Sequence, residues 1–191
     1  MHYLFIVSGP GGVGKDTIIN RLIKDHNLKL QKIISHTSRA PRQNDVDGRD
    51  YYFLTKPQFE HEIEHDQMLE YEVMEANNHY YGTQKQSTYD ALKGNNIICN
   101  KMPAGALALK KHFGSQAVTI FLDADNQELE HRLLENNRSM EHTLMHRRLK
   151  QAEHERELKD RFDYCVINHD GQLDQAVSEI KQIIVNTVAT H

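Results

Sequence analysis

Residues 4–22 read Leu-Phe-Ile-Val-Ser-Gly-Pro-Gly-Gly-Val-Gly-Lys-Asp-Thr-Ile-Ile-Asn-Arg-Leu. The unbroken apolar run from Leu4 to Val7 predicts a strand covered on both faces. From Ile18 onward, Ile18, Ile19, Leu22 and Ile23 recur at helical spacing. Between strand and helix lie Gly9, Pro10, Gly11, Gly12, Val13, Gly14 and Lys15. This is the spacing of a phosphate-binding loop. Its glycines let successive backbone N–H groups converge on phosphate oxygens at a helix N-terminus, and Lys15 adds a positive charge. A glycine-rich turn alone says little; its seat between a strand and a helix is what gives it meaning.

Where such loops carry Ser or Thr after the lysine to bind Mg²⁺, this chain has Asp16, with Thr17 next. Either Thr17 takes the metal role by a shift of register, or Asp16 ligates the ion or one of its waters; hard oxygen donors suit Mg²⁺ in both cases. Asp16 is also simply a favourable acidic residue for the first turn of a helix. Downstream, the run Ile97-Ile98-Cys99 ends in Asn100, an amide where many loops of this kind are matched by an aspartate. The expectation is that Asp16 restores the carboxylate missing at 100.

Outward from the loop, Tyr3–Val7, Asn96–Cys99, Ala117–Leu122 and Tyr164–Ile167 read as parallel strands covered on both faces. Leu173, Val177, Ile180, Ile184 and Val188 mark a closing helix. Strand and helix alternate, so the predicted fold class is α/β, a P-loop core with a parallel sheet flanked by helices. Two stretches interrupt the rhythm. Residues 33–83 contain short strand-like pieces and one polar helix opened by Thr55 and Pro57; they predict an inserted lobe. Residues 126–151 are almost wholly polar on a helical background and predict a mobile helical lid. The remainder, 1–32, 84–125 and 152–191, forms the core of a single domain.

The composition bounds the function. The 191 residues suit one domain with insertions, and 23 Lys+Arg against 27 Asp+Glu leave a net charge of −4. Such a balance disfavours nucleic acid and anionic membrane as partners of the whole surface. No apolar run approaches the length of a membrane span or signal peptide, which predicts a cytoplasmic protein. Cys99 and Cys165 read as reduced, buried thiols. The histidine pairs His61/His65 and His142/His146 lack the glutamate of a zinc helix and read as solvated faces. Arg147-Arg148-Leu149-Lys150 runs straight into Glu153, Glu155 and Glu157 and reads as a mixed-charge helix, and Met140 and Met145 as lid packing. Monomer and homodimer are both left open.

The predicted lobe carries a second constellation: Ser35-His36-Thr37-Ser38-Arg39-Ala40-Pro41-Arg42, then Gly48-Arg49-Asp50-Tyr51, Leu69-Glu70-Tyr71 and Tyr80-Tyr81-Gly82-Thr83. Paired arginines in a segment kept extended by Pro41, with tyrosine hydroxyls, suit a phosphate monoester. Glu70 only accepts hydrogen bonds, which matches the adjacent N1 and N2 donors of guanine and not adenine, and the hydroxyls of Ser35 and Thr83 are placed to donate to O6.

These blocks, in this order from Leu4 to about Ile184, resemble the guanylate kinase family of nucleoside monophosphate kinases. The resemblance implies transfer of the γ-phosphoryl group of ATP to GMP, with ATP and Mg²⁺ held at the loop from Gly9 to Thr17. It assigns Ser35, Glu70 and Thr83 to the base, and Arg39, Arg42, Tyr51 and Tyr81 to the GMP phosphate. Lys15, Arg39, Arg132, Arg138 and Arg148 would stabilise the transferred group. The chain departs from the family pattern at Asn100, Lys101 and Met102, which stand where the family usually has Asp-x-Asp, and at Asn136 and Asn137, which replace Arg-Gly in the lid. Lys-Asp at the loop and Asn100 also resemble a related branch, ribose 1,5-bisphosphate phosphokinase. A rival of another class is a guanylate-kinase-like module that binds phosphorylated peptides without catalysis.

Overall fold

The computed structural model describes residues 1–74, 78–136 and 142–190. In chain order the elements are β1 (Leu4–Ser8), α1 (Lys15–Leu22), β2 (Leu30–Lys32), β3 (His36–Thr37), β4 (Tyr52–Phe53) and α2 (Lys56–Glu64). Then come β5 (Met68–Met74), β6 (His79–Gln84), α3 (Lys85–Gly94), β7 (Asn96–Asn100), α4 (Pro103–Phe113) and β8 (Ala117–Asp123). The chain closes with α5 (Asn126–Asn136), α6 (His142–Arg156), β9 (Tyr164–Ile167) and α7 (Leu173–Ala189).

Five strands form a parallel sheet in the order β2-β7-β1-β8-β9, with Phe5 opposite Ile98 on one side and Val118 on the other. Side chains alternate across it. Phe5 and Val7 face α1 and α7, where Ile18, Ile19, Leu22, Ala176, Ile180 and Ile184 pack. Leu4 and Ile6 face the opposite layer, made by Ala91 and Leu92 of α3 and Ala106 and Leu109 of α4. Both faces of the central strands are therefore covered, as their continuous apolar runs require. The edges differ from expectation. β2 supplies a fifth strand too short and polar to register as an apolar run, and at the other edge only Val166 of β9 is buried. Cys165 is exposed, which corrects the expectation of two buried thiols; Cys99 is buried.

Residues between β2 and α3 build a separate four-stranded sheet, order β4-β3-β6-β5, with β6 antiparallel to both β3 and β5. Its helix α2 starts at a capping box: Thr55 Oγ1 accepts from Gln58 N, and Gln58 Oε1 accepts from Thr55 N. Phe59 seats this helix by stacking on Tyr80, ring centroids 5.1 Å apart.

The polar stretch after β8 is more tightly packed than its composition predicts. Leu129 and Leu133 of α5 meet Leu149 and Ala152 of α6 in an apolar cluster of their own, and Met145 is buried. Helix α6 continues past residue 151 to Arg156, which binds Asp123 Oδ1 at 2.7 Å, Ala124 O at 2.6 Å and the Asn126 side chain. That guanidinium ties α6 to the end of β8. Arg138 and Met140 lie outside the described residues.

Candidate active site

The parallel strands end on one side of the sheet, and the loops there converge as they do in open α/β sheets. Gly9 leaves β1 at φ 130°, and a Cβ on it would overlap the carbonyl oxygen of Leu122. Only glycine lets the loop turn so close to β8. Lys15 curls back over the loop, its Nζ 2.5 Å from Gly9 O and 2.9 Å from Pro10 O. Burial lowers its pKa, and the negative charges of Glu155 and Asp16 pull the other way.

Two cavities flank this lysine. The first, about 520 Å³, is lined by Gly11, Gly12, Gly14, Thr17 and Arg132, and by Asn168 to Gly171 after β9. Arg132 does not point freely at it: Nε meets Asp170 Oδ1 at 2.7 Å and Nη2 meets Asn168 O at 2.7 Å. Asn168 Nδ2 donates to Val13 O at 2.9 Å, bracing the loop from behind.

The second cavity, about 500 Å³, lies between the two sheets. At one end are Arg39, Arg42, Tyr51 and Tyr81. The Arg39 guanidinium is buried 5.5 Å from the ring centroids of Tyr51 and Phe53 and 2.8 Å from Asp45 Oδ2, while Arg42 is exposed at the rim. Burial, then the charge of Asp16, raises the Tyr51 hydroxyl pKa. At the other end sit Ser35, Glu70 and Glu72. Thr83 Oγ1 donates to Glu70 Oε1 at 2.5 Å, so its hydroxyl is held by the carboxylate and not directed at a base oxygen as expected from sequence. Glu72 Oε1 accepts from Gly105 N at 2.7 Å, and burial raises its pKa.

Lys15, Asp16 and Asn100 line both cavities. Residues from two cavities thus share one point, beside the phosphate-binding loop. Of the other residues expected at the site, Arg148 is exposed on α6 and lines neither cavity. Thr17 is exposed beside the first, offering an oxygen donor next to the Asp16 carboxylate. That donor set, hard oxygens at the mouth of a phosphate loop, fits Mg²⁺.

Sequence reading missed Lys101, Glu72 and Glu155. Lys101 directly follows the C-terminal end of a central parallel strand, a position where ligands are met, and that was its signal. Glu155 faces Lys15 from a helix whose pattern is charged throughout; nothing local distinguishes it from its neighbours.

Fold and site together define a P-loop phosphotransferase with a donor-type loop and a facing second cavity. The guanylate kinase family model matches residues 1–187. A guanylate kinase from Porphyromonas gingivalis is 37% identical over 191 residues, covering 99% of this chain and 100% of that protein. Guanylate kinase 2, chloroplastic/mitochondrial, from rice is 35% identical over 95% of this chain, which spans 63% of that protein's length. Among solved structures, guanylate kinase from Anaplasma phagocytophilum shares the fold, with a TM-score of 0.75 at 22% identity over 97% of this chain and 85% of that one. Shikimate kinase from Bacteroides thetaiotaomicron is more distant in fold, with a TM-score of 0.53 at 13% identity over 95% and 98% of the two chains. The chain belongs to the guanylate kinase family. No helix among the described residues is long and apolar enough to cross a membrane.

Proposed function

We propose that this protein transfers the γ-phosphoryl group of ATP to the phosphate of GMP, giving ADP and GDP. The observation that carries the reading is the sharing of Lys15, Asp16 and Asn100 by the two cavities. A donor phosphate chain on the loop and an acceptor phosphate near Arg39 and Tyr81 meet there. An oxygen of the GMP phosphate forms the new P–O bond as the bond from the γ-phosphorus to its bridging oxygen breaks, and that oxygen leaves on ADP. The acceptor is already an oxyanion, so no dedicated general base is needed; positioning and charge neutralisation suffice.

Most of the residues lining the two cavities have a place in this scheme. Backbone N–H groups from Gly11 to Lys15 bind the donor phosphates, and the Lys15 ammonium exchanges its loop carbonyls for phosphate oxygens. Arg39, Arg42, Tyr51 and Tyr81 bind the acceptor phosphate, with Arg39 pre-oriented by Asp45 and two aromatic rings. Glu70 accepts from the base. Arg132 braces the loop through Asn168 and Asp170. Asp16 and Thr17 hold Mg²⁺, which supplies charge neutralisation to the phosphates when bound. Residues 33–83 act as the GMP-binding lobe and α5–α6 as the lid, in a cytoplasmic enzyme.

A second reading has one observation in its favour. The Lys101 ammonium lies at the base end, where a sugar bisphosphate would put its second phosphate. Glu70 and Glu72 lie at that end too, leaving more acidic than basic groups, which opposes a phosphate there.

Coupled ADP release with GMP, dGMP, AMP, UMP, IMP and ribose 1,5-bisphosphate as acceptors tests the proposal, alongside Lys15→Ala. Selective turnover of GMP that the variant loses supports it. Turnover with the sugar bisphosphate alone overturns it, and no turnover with any acceptor favours a phosphopeptide-binding module.

A further inference from the structure

Lys101 is 7% exposed, yet it is not in the apolar core. Its backbone N–H donates to Val7 O at 3.1 Å, extending the β7–β1 pairing by one residue and fixing the direction of its side chain. The ammonium enters the base end of the acceptor cavity, with Nζ 2.6 Å from Ser35 Oγ and 3.1 Å from Glu70 Oε1. Three elements are joined by one cation: the end of β7, the segment before β3, and β5.

The inventory of donors and acceptors there is narrow. An ammonium carries three N–H donors and no acceptor. Ser35 and Glu70 take two of them. Glu70 Oε1 already accepts from both Thr83 and Lys101, while Oε2 lies beside Gly105 of α4. Glu70, Lys101 and Ser35 all line the cavity, so its wall carries an acceptor, the Glu70 carboxylate, beside the donors of the Lys101 ammonium and the Ser35 hydroxyl. A 6-oxopurine carries the complementary edge, with N1–H donating next to an accepting O6. A 6-aminopurine carries the reverse at both positions.

Resting on the GMP kinase reading above, we propose that Lys101 is a specificity-determining residue of the acceptor site, reading the 6-oxo group of the purine. It takes the place first assigned to the Thr83 hydroxyl, which donates to Glu70, and stands beside the Ser35 hydroxyl, which accepts from Lys101 and keeps its own O–H to donate. The ammonium also neutralises Glu70, so the carboxylate stands buried as half of an ion pair and not as a lone charge.

The test is equilibrium binding of GMP, IMP, AMP and ribose 5-phosphate to the full chain, wild type against Lys101→Met and Lys101→Gln, with steady-state turnover in parallel. Loss of one charged hydrogen bond predicts GMP and IMP weakened about 10- to 100-fold in Lys101→Met. AMP is unchanged or tighter, so the GMP:AMP ratio collapses while kcat changes little. Lys101→Gln, with a neutral donor, recovers part of the ratio. In a Glu70→Gln background, where no carboxylate is left to neutralise, adding Lys101→Met lowers GMP binding relative to AMP further if Lys101 reads the base, and leaves that ratio at the Glu70→Gln value if Lys101 merely neutralises Glu70. An equal loss for all three nucleotides, or an unchanged GMP:AMP ratio in variants that still turn over GMP, overturns this proposal and leaves the kinase reading standing. Wild-type binding of ribose 5-phosphate as tight as that of GMP, with no GMP turnover, overturns both.

Discussion

The side-chain amide of Asn100, at the end of β7, donates to Asp16 Oδ1, in the first turn of α1, at 3.3 Å. The only full negative charge of this pair therefore sits on the helix, and the strand end contributes a neutral donor that orients it. If Asp16 is the carboxylate serving Mg²⁺, its removal matters more than removal of its orienting partner. Asp16→Asn is expected to raise the Mg²⁺ concentration for half-maximal activity about tenfold or more, and Asn100→Ala by less. Mg²⁺ titrations of both variants check this; equal or reversed effects count against the assignment.

The half-buried ammonium of Lys15 gives a pH dependence with a definite sign. Its pKa in the fold lies below the ordinary lysine value of 10.5, so it loses its proton earlier than a free lysine as pH rises. Its charged form costs folding free energy below the folded pKa, and the cost disappears above the unfolded one. Phosphate binding needs the charged form, so kcat/KM for ATP is expected to fall on the alkaline side below that ordinary value. Glu155→Gln removes a counter-charge, and its alkaline limb should move to lower pH than wild type. A limb at the same pH in both would show that Glu155 does not act on Lys15.

Leu133 is buried against Leu129 and the α6 residues Leu149 and Ala152, and its methyl group lies over Gly12 of the phosphate loop. Leu133→Ala is expected to destabilise the protein by about 2–5 kcal/mol. Because the cavity opens directly above the loop, KM for ATP should rise severalfold while affinity for GMP is kept. Urea denaturation and binding of the two nucleotides separate these effects.

At Gly9 the obstruction to a side chain is a backbone carbonyl, that of Leu122, which no side-chain rotation relieves. Gly9→Ala is therefore expected to cost about 3 kcal/mol or more and to abolish ATP binding in whatever fraction still folds. Thermal unfolding compared with Gly11→Ala, where a Cβ meets nothing within 4 Å, isolates the effect of position.

The two cysteines should react differently. Burial pushes the Cys99 thiol up to about 12, whereas Cys165 lies exposed on the edge strand β9, its pKa raised less. Only the thiolate is nucleophilic. Titration with a disulfide reagent at mildly alkaline pH is expected to find one thiol in the native protein and two in denaturant. Two native thiols would mean that the sheet opens at β7.

Much of the architecture was legible because it is local. The run Leu4–Val7, the glycines and lysine after it, and the helical spacing of Ile18, Ile19 and Leu22 are neighbours in the chain, and their pattern has a single physical solution. The polar lobe with Arg39, Glu70 and Tyr81 was visible as motifs, and the capping box at Thr55 as a start signal. What was not legible depends on residues far apart in sequence. Strand β2 is held by pairing with β7, since its own sequence carries no strand signal. The helices α5 and α6 read as polar because their apolar seam has only a few residues on each, and the seam exists only when the two helices face each other.

The same division runs through the site. Sequence alone determined that a phosphate loop is present and which chemical groups the chain can bring to a phosphate and a purine, because side-chain chemistry belongs to the residue. Only the tertiary structure decided how those groups are spent. Ser35, Glu70, Thr83 and Lys101 come from four separate segments, and each hydrogen bond formed among them removes a donor or acceptor from what a ligand can use. Such an inventory is a property of three-dimensional contact, and a string of residues does not contain it.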